Sequence, residues 1–420
     1  MTSLRVLACA YTCCAPGTQD FRGGEDVLGW NLLKQISRSH EVWAITNAND
    51  RGSIEQATEN EQLPNVHFCY VGLPKWLSPM VKFQGGIQIY YHIWQILAYL
   101  TARRLHKQIG FDLFHHITYA NDWQANYIGA FLPVPYVRGP GGGAHQTPRG
   151  LEGEYTLGGR IWEKIRTIGQ RLLRLDPVFI IGQSRARAIL LCNRESTLIV
   201  PKRWAQKIYS FPVSGVSSED LSHISQGKRD GDVFRILTAG SLIRVKGFGL
   251  AIKSFGEFAA KHPDSELNIV GEGPEEPKLR DLTAQCQLGD KVNFLGPMAR
   301  DRLLNEMAAS DVFLFPSLRD GGGTVAVEAM AVGTPVVCLD VGGPGMNVTD
   351  QSGIKVTPDP TDSTIHSLAT AIESLYLNEN FRLELGRGAR QRAEESYHWD
   401  KLGERLMQIY DQALGGTDHR

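Results

Sequence analysis

The sequence predicts an α/β protein with two doubly wound, Rossmann-like domains that face a cleft. Two observations indicate this class: short apolar strands alternate with helical stretches through the first half, and the same alternation restarts at Phe234. Such alternation is typical of parallel sheets with helices on both faces. Between the halves, Ser214–Asp232 is rich in Ser, Gly and Asp and poor in apolar residues, which predicts a linker.

The individual elements follow from apolar runs and their spacing. Strands of the first half are predicted at Leu4–Ala10, Glu41–Thr46, Val66–Val71, Leu113–Ile117, Pro135–Val137, Pro177–Gly182 and Lys207–Phe211. Helices between them are predicted at Val27–Ser37, Gln88–Gly110 and Trp123–Leu132. Strands of the second half are predicted at Phe234–Ala239, Leu267–Val270, Val292–Phe294, Val312–Phe315 and Val336–Leu339. Ligands of such folds bind at the carboxyl ends of the strands, so we expect the site in the cleft.

Composition is that of a large enzyme without affinity for nucleic acid. The 420 residues suggest two domains, and a net charge of −1 gives no general attraction to nucleic acid. The seven cysteines include no Cys-x-x-Cys pair, so we expect neither zinc nor a disulfide framework, and reduced thiols in a cytoplasmic protein. We see no signal peptide, and no apolar run reaches the roughly 18 residues of a membrane-spanning helix.

The most informative stretch reads as a strand, a glycine loop and a helix. Val312–Phe315 predicts a buried strand, and Gly321, Gly322 and Gly323 form a loop whose backbone can approach a ligand closely. Thr324–Val332 predicts a helix that ends at Gly333. Free amides at the start of such a helix form an anion site, most often for phosphate.

Two carboxylates accompany this anion site. Asp320 lies in the loop and Glu328 on the first turns of the helix. A carboxylate repels an anion but accepts hydrogen bonds from hydroxyl groups, so the pair predicts a phosphate ligand that carries sugars. The alternative is that both are ordinary surface acids; the glycine loop and the following Gly342-Gly343-Pro344 argue against it.

An acidic residue, seven others and then Glu, in this strand-loop-helix setting, resembles the signature of retaining glycosyltransferases of family 4, which have the GT-B fold. The family usually has Glu where this chain has Asp320. The resemblance implies that Glu328 holds the ribose of a nucleotide. It also implies that Asp320 and the backbone amides from Gly321 to Thr324 and Val325 hold the donor sugar and the diphosphate.

The resemblance covers nearly the whole chain and implies its organisation. Residues 1–213 would form an acceptor-binding domain, residues 214–396 a nucleotide-sugar-binding domain, and residues 397–420 a helix that packs back on the first domain. In such enzymes the leaving phosphate helps to remove the proton of the acceptor during attack on the front face. No metal and no other cofactor are then expected.

A second part of the diphosphate site is predicted at residues 239–247. This stretch resembles the family's Gly-Arg-Leu-x-x-x-Lys-Gly motif: Gly240, Lys246 and Gly247 match, whereas Ser241 stands in place of Arg. Arg244 could supply the missing charge. Fixed cations would stabilise the negative charge that develops on the leaving diphosphate. We therefore predict Lys246 and Arg244 as catalytic residues; the alternative is that both are solvated loop residues.

Further glycine-rich loops follow other strands. Gly23 and Gly24 precede a helix, and family members carry paired glycines there. The stretch after Arg138 resembles a Gly-Pro-x-Gly-Gly-Gly sequence in the branch that builds cell-surface polysaccharides, which implies that Arg138 and the glycine loop contact substrate. The family also has a Gly-x-Gly-Pro turn beside the nucleotide and main-chain contacts to the base. The matching residues are Gly141, Gly142, Gly271, Gly273 and Met298.

Two adjacent histidines end a predicted strand where family members commonly carry His. By that resemblance His115 is a catalytic candidate and His116 a substrate contact. The alternative is a pair of satisfied core histidines. No third ligand lies nearby in sequence, so no metal site is predicted here. Asp230-Gly-Asp232 imitates a metal-binding motif of another glycosyltransferase fold but lies in the predicted linker.

Two segments raise the question of a membrane surface. Lys75–Phe83 is aromatic and apolar, and Gly158–Arg174 carries an apolar stripe beside basic residues. The stripe consists of Ile161, Ile165, Ile168 and Leu172. It could rest on an anionic membrane, or it could face the core of the domain.

The sequence thus predicts a retaining hexosyltransferase that takes UDP- or GDP-sugar and transfers to a glycan, lipid-linked or small-molecule acceptor. We expect a cytoplasmic protein, with peripheral contact at the inner face of the membrane as a further expectation, and no nucleic acid partner. A GT-B-type sugar-nucleotide epimerase and a non-catalytic sugar-nucleotide-binding protein remain alternatives.

Overall fold

The computed structural model describes residues 3–61, 63–82, 86–155, 157–222 and 233–415. It contains two parallel β-sheets, each flanked by helices, and the predicted fold class is confirmed. Residues 223–232 of the predicted linker, including Asp230-Gly-Asp232, lie outside the described residues. In the described part, no helix combines the length and the apolar character that crossing a membrane requires.

The N-terminal sheet is seven-stranded in the order β3-β2-β1-β4-β5-β6-β7. Its strands are β1 Arg5–Cys9, β2 Glu41–Asn47, β3 Val66–Val71, β4 Leu113–His116, β5 Tyr136–Gly141, β6 Ala186–Leu191 and β7 Ile208–Ser210. Its helices are α1 Gly24–Ser37, α2 Arg51–Asn60, α3 Gly86–Ile109, α4 Tyr127–Phe131, α5 Leu157–Leu173, α6 Pro177–Arg185 and α7 Arg194–Ile199, and α8 Ser218–Ser222 follows. The strand order reverses between β1 and β4, which places a crevice at their carboxyl ends.

The C-terminal sheet is six-stranded in the order β10-β9-β8-β11-β12-β13. Its strands are β8 Phe234–Ala239, β9 Ser265–Val270, β10 Val292–Gly296, β11 Val312–Phe315, β12 Val336–Leu339 and β13 Gly353–Val356. Its helices are α9 Phe248–Ala259, α10 Glu276–Gln285, α11 Arg300–Ala308, α12 Thr324–Ala331, α13 Gly342–Asn347, α14 Thr361–Leu377 and α15 Glu379–Tyr397; α16 Trp399–Gly415 ends the described chain. Central strands such as β11 are buried along their whole length, as their continuous apolar sequence requires.

One predicted element is wrong in type. Pro177–Gly182 begins helix α6 instead of forming a strand. The Asp176 carboxylate accepts a hydrogen bond from the Val178 amide at 2.8 Å, and Pro177 occupies the first turn, where its missing N–H costs nothing. These are start signals of a helix, and they outweigh the apolar run that follows them.

Other elements differ in extent. Only Tyr127–Phe131 of the predicted helix Trp123–Leu132 is helical, because Asn126 caps it by accepting from the Gly129 amide at 2.6 Å. Strands Ala186–Leu191 and Gly353–Val356 were not predicted. Both pair with a neighbouring strand of their sheet, so the sheets are larger than the sequence indicated.

Helix α16 returns from the C-terminal domain to the N-terminal one. Leu402, Leu406 and Ile409 are buried in the same apolar cluster as residues of β1 and α1. The Tyr410 hydroxyl is buried and lies 2.7 Å from Nδ1 of His115 in β4. The helix therefore ties the chain's end to the first sheet, and it forms a second connection between the domains.

We expect this docking face to contribute strongly to stability. Leu406→Ala removes a fully buried side chain and should lower the free energy of unfolding by about 2–5 kcal/mol. The matched control on the same helix is Gln408→Ala, an exposed position, which should change it by less than about 0.5 kcal/mol. Urea denaturation measures both. Equal unfolding midpoints for the two variants would contradict the docking.

Candidate active site in the interdomain cleft

A cavity of about 370 Å³ lies between the two domains. It brings together the three glycine loops of the sequence, from after β1, after β5 and before α12. A side-chain carbon placed on Gly24 would lie 3.8 Å from the Thr324 hydroxyl, which shows how closely the walls approach. The lining residues from the predicted set are Gly24, Gly141, Gly142, Gly321, Gly322 and Thr324.

Direct contacts close the cleft around this cavity. The Ser214 and Thr324 hydroxyls lie 2.8 Å apart, and the Cys192 thiol donates to the Gly321 carbonyl at 3.3 Å. The Glu195 carboxylate accepts from the Gly342 amide at 3.0 Å. Both walls of the cavity therefore hold the Gly321–Gly323 loop in place.

Asp320 occupies the centre of the predicted anion site. Its Oδ1 accepts from the Gly322 and Gly323 amides at 3.1 and 2.7 Å, and Lys246 Nζ lies 2.5 Å from its Oδ2. Burial alone would raise the pKa of Asp320, but Lys246 and the two amides outweigh it and lower this pKa. The carboxylate is thus ionised at neutral pH and fixed at the start of α12.

This contact changes which amides remain for a ligand. The carboxylate of the chain itself uses the Gly322 and Gly323 amides. The Thr324 and Val325 amides have no acceptor among the described residues. Gly323 adopts a left-handed φ of 62°, which turns the chain into α12 and leaves these two amides at its free end.

Lys246 is the cation of the site. Gly247 next to it has a left-handed φ of 72°, and a side-chain carbon there would lie 2.0 Å from the Pro316 carbonyl oxygen. Glycine is therefore required to seat Lys246 against the loop after β11. Arg244 instead donates to both oxygens of Glu275 at 3.2 Å, so it pairs with this acid rather than with Asp320. Its predicted catalytic role stays a prediction.

Glu328 is a buried acid that belongs to an ion network with the more exposed Arg300, which the sequence did not indicate. Its Oε1 accepts from Arg300 Nε at 2.8 Å, and Arg300 also donates to Asp220. Burial raises the pKa of Glu328, and the Arg300 charge opposes that rise. The second oxygen, Oε2, has no hydrogen-bond partner among the described residues, and it is the atom that could accept from a ribose hydroxyl.

The turns predicted to border the nucleotide follow β9 and β10, on the same sheet edge as Asp320. The Gly271 amide donates to the Gly296 carbonyl at 2.9 Å, and Gly273 packs so closely against Leu242 that a side chain would not fit. Met298 is half-buried after β10. Gly240 follows β8, and Ser241 next to it is exposed.

The two predicted histidines do not line the cavity. Both ring nitrogens of the buried His115 are engaged, by the Tyr410 hydroxyl at 2.7 Å and the Gly139 carbonyl at 2.5 Å. His116 pairs with the Tyr91 hydroxyl at 2.9 Å. Burial lowers the pKa of His115 to about 4 and that of His116 to about 3, so both are neutral at physiological pH. Both histidines are therefore core residues: His115 has both ring nitrogens bonded, whereas Nδ1 of His116 has no partner among the described residues.

Arg138 also has an internal role. It is buried and donates to the Asp122 carboxylate at 3.0 Å and to the Ala120 carbonyl at 2.8 Å. Ser196 donates to the same carboxylate. These bonds support the loop segments beneath Gly141, whose own position leaves no room for a side chain against Ala120. These bonds indicate a structural role for Arg138 and not a contact with substrate.

Sequence reasoning missed three titratable residues that do line the cavity: His145, Glu25 and the Cys192 thiol. Nδ1 of His145 is buried without a partner among the described residues, and burial lowers the pKa of this histidine to about 4. Glu25 accepts from the Tyr119 amide at 3.1 Å. His145 and Glu25 each directly adjoin a glycine loop that had been singled out, since His145 follows Gly143-Ala144 and Glu25 follows Gly24.

One group in the described residues has the composition of a metal site: Cys14, Asp26 and Asp50, all buried. Most of its ligand atoms are already bonded. Asp26 accepts from Thr12 and from the Cys14 and Arg22 amides, and the Arg22 guanidinium pairs with Asp50. These bonds fold residues 12–26 over the end of β1, and they give the group a structural explanation.

Known proteins are similar to this chain in sequence and in fold. Residues 221–392 match the family Glycosyl transferases group 1. The chain is 27% identical over 337 residues to an uncharacterized glycosyltransferase of Methanocaldococcus jannaschii, with 76% of this chain and 81% of that protein covered. It is 38% identical over 190 residues to the D-inositol 3-phosphate glycosyltransferase of Acidothermus cellulolyticus, with 43% of this chain and 41% of that protein covered. This second match spans less than half of the relative.

Solved structures share the fold across the whole chain. Sucrose-phosphate synthase from Thermosynechococcus elongatus superposes with a TM-score of 0.68 at 17% identity, covering 99% of this chain and 100% of that one. HepE of Anabaena in complex with UDP and glucose superposes with a TM-score of 0.60 at 17% identity, covering 97% and 99%.

The fold that this chain shares with these structures is the GT-B fold of two parallel-sheet domains. The part of the chain that matches glycosyl transferases group 1, residues 221–392, contains both Asp320 and Glu328, and this supports the resemblance for that part. The narrower resemblance to enzymes of cell-surface polysaccharides is not confirmed. Relatives include glycosyltransferases of D-inositol 3-phosphate and a mannosyltransferase of a phosphatidylinositol mannoside.

We expect Asp320 to matter more for transfer than for nucleotide binding. Asp320→Asn keeps an oxygen for the Gly322 and Gly323 amides but removes the charge next to Lys246. Transfer should fall by about 100-fold or more, while the dissociation constant of the free nucleoside diphosphate changes little. Steady-state kinetics and calorimetry measure the two effects, with the exposed Asp350→Asn as control. Equal losses in both measurements would place Asp320 outside the reacting centre.

Proposed function

We propose that this protein transfers a sugar from a nucleoside diphosphate donor to an acceptor hydroxyl with retention of the anomeric configuration. The observation that carries the proposal is the arrangement of Lys246, Asp320 and Glu328 around the start of α12. A cation, free helix amides and two fixed carboxylates stand at the carboxyl ends of the strands. This set matches a diphosphate bonded to sugars on both sides.

The donor would lie along the C-terminal wall of the cleft. Its diphosphate would take the free amides of Thr324 and Val325 and share the charge of Lys246. The ribose hydroxyls would donate to Oε2 of Glu328. The transferred sugar would then lie at the cavity between the Asp320 loop and His145.

In this reaction the main task of the protein is electrostatic stabilisation of the charges that develop on the diphosphate and on the sugar. When the bond to the sugar breaks, negative charge grows on the diphosphate, and Lys246 with the helix amides stabilises it. The sugar becomes electron-poor at the same moment, and the ionised Asp320 lies close by to balance that charge. The acceptor attacks from the face that the diphosphate leaves, and a phosphate oxygen takes its proton. No side chain needs to act as base.

Relatives support a UDP- or GDP-sugar as donor. HepE of Anabaena was solved with UDP and glucose, and a mannosyltransferase relative in Corynebacterium glutamicum is GDP-mannose-dependent. In this chain the base would meet main-chain atoms near Met298. No observation favours the epimerase alternative over transfer.

The ribose assignment has a direct test. Wild-type protein should bind UDP or GDP more tightly than the same nucleotide without its ribose 2′- and 3′-hydroxyls, by roughly 1–3 kcal/mol. Glu328→Gln should bind both nucleotides with similar, weak affinity, because the carboxylate that distinguishes them is gone. Isothermal calorimetry measures all four values, and the exposed Glu384→Gln serves as control. If Glu328→Gln still preferred the nucleotide with ribose hydroxyls as strongly as the wild type does, Glu328 would not contact the ribose.

Transfer should need no divalent metal, because Lys246 and the helix amides already supply positive charge at the diphosphate. We expect turnover with the preferred sugar nucleotide to continue in excess EDTA, measured by release of nucleoside diphosphate. Complete loss that magnesium restores would show that a metal ion belongs to the diphosphate site.

We further propose that α5 rests on an anionic membrane surface. The stripe of Ile161, Ile165, Ile168 and Leu172 is exposed at 60, 53, 56 and 62%, and Gln170 is the one buried residue among the described side chains of this helix. The core-facing interpretation of the stripe is therefore wrong.

The charged residues of α5 indicate which kind of surface the apolar stripe would contact. Arg160, Lys164 and Arg171 are exposed on the same helix. Its single acid, Glu163, is bonded to Arg166 and Arg319. An apolar stripe flanked by unbalanced cations is the pattern of a helix that lies in the headgroup region of anionic lipid.

Vesicle binding tests the membrane proposal. The chain should sediment with vesicles that contain phosphatidylglycerol and much less with purely zwitterionic vesicles. The double substitution Ile165→Gln with Ile168→Gln should reduce sedimentation by about tenfold or more, since two apolar side chains no longer enter the lipid. The control is Leu377→Gln, which removes a 70%-exposed leucine of the other domain. Concentration-dependent self-association without vesicle binding would assign the stripe to a second copy.

A further inference from the structure

A second cavity, of about 270 Å³, lies beside α5, outside the donor site. One wall is α5 and the other is the segment from Gln146 to Tyr155, which follows the glycine loop after β5. Three cations of α5 line it: Arg160, Lys164 and Arg171. Hydroxyls of Thr147 and Tyr155, 2.8 Å apart, line it as well.

The charge of this cavity is not balanced from within. Two acids, Glu152 and Glu163, line it with three cations. Glu163 has both oxygens 2.7 Å from Arg319 and also pairs with Arg166 at 2.9 Å, so it does not balance the cations of the cavity. Arg160 donates to a backbone carbonyl. Lys164 and Arg171 have no hydrogen-bond or ion-pair partner among the described residues. Unused cationic donors and hydroxyls that converge on one cavity suit a phosphate group.

Two features connect this cavity to the reaction. His145 lines the donor cleft, and the next two residues, Gln146 and Thr147, line the second cavity, so one short stretch of chain separates them. The Glu163–Arg319 ion pair spans the same boundary, because Arg319 precedes Asp320. On its other side the cavity opens to the stripe, since Ile168 belongs to both.

We propose that this cavity binds the phosphate group of an amphiphilic acceptor. Its hydrocarbon would lie along the stripe of α5, and its hydroxyl would reach past His145 into the cleft. The inference rests on the proposed function, since an acceptor subsite presupposes transfer. It goes further in naming the acceptor class: a phosphorylated molecule with an apolar chain, in place of a free sugar or a neutral glycan.

The phosphate and the chain can be tested separately with three probes below their micelle concentrations. Octyl phosphate carries both features, octyl glucoside has the chain without the charge, and inorganic phosphate has the charge without the chain. Calorimetry on the full chain should show octyl phosphate binding at least tenfold more tightly than either of the others. Equal binding of inorganic phosphate would mark a free-phosphate site and overturn the acceptor assignment. Equal binding of octyl glucoside would overturn the phosphate assignment.

Substitutions locate the site. Lys164→Gln with Arg171→Gln should weaken octyl phosphate binding by about tenfold or more, and Lys164→Arg with Arg171→Lys should restore most of it, because charge is retained. Lys202→Gln, an exposed lysine elsewhere in the domain, is the control. Unchanged octyl phosphate binding in the double Gln variant would overturn the proposal.

A nucleoside diphosphate titration separates this inference from the proposed function. The double Gln variant should bind UDP or GDP as wild type does, because its substitutions lie outside the donor cleft. Loss of nucleotide binding in that variant would mean that the two cavities are one site and would overturn the inference. Absence of nucleotide binding in the wild type, with octyl phosphate binding intact, would overturn the donor assignment instead.

Discussion

The contact between Lys246 and Asp320 is the interaction on which the cleft depends. The glycines after Asp320 have no side chains to pack, so the shape of their loop comes from the carboxylate, which binds two of its amides and one lysine. The Asp320 carbonyl also accepts from the Gly343 amide at 2.9 Å, which fixes the start of α13. Loop, helix start and cation are thereby positioned relative to one another before any donor arrives.

The same contact would set the conditions for binding the donor that we propose. Lys246 is paired with Asp320, so a diphosphate bound at this site would share the lysine with the carboxylate. The unpaired amides of Thr324 and Val325 supply the remaining attraction. On the ribose side, Arg300 occupies one oxygen of Glu328 and leaves the other. Lys246 and Asp320 form a one-to-one ion pair, whereas Glu328 and Asp220 share the single charge of Arg300. A ligand would gain most where hydrogen-bonding groups are still unused.

Helices α16 and α5 differ in what their apolar faces contact. Helix α16 buries its apolar face against the first domain and uses Tyr410 to hold His115, so its hydrophobic pattern is satisfied inside the chain. Helix α5 has a pattern of the same strength, yet it leaves its stripe in the open. Both patterns have helical periodicity, and only the tertiary contacts distinguish a helix that docks on its own chain from one whose apolar stripe stays exposed.

The sequence by itself determined the alternation of strands and helices, the glycine loops at the strand ends and the pair Asp320 and Glu328. Each of these features is local in the sequence. The alternation follows from the spacing of apolar residues, the loops from runs of glycine, and the acidic pair from the number of residues between Asp320 and Glu328. It mistook Pro177–Gly182 for a strand, although the helix-start signals were also local.

Tertiary structure alone decided which side chains meet. It buried His115 and placed His145 in the cleft, it gave Arg300 to Glu328, and it paired Arg319 with Glu163. Such pairings join residues far apart in the chain, and their energy depends on burial and distance rather than on sequence spacing. For that physical reason a motif can predict the chemistry of this site, whereas the partners that tune each charge appear only when both domains are folded.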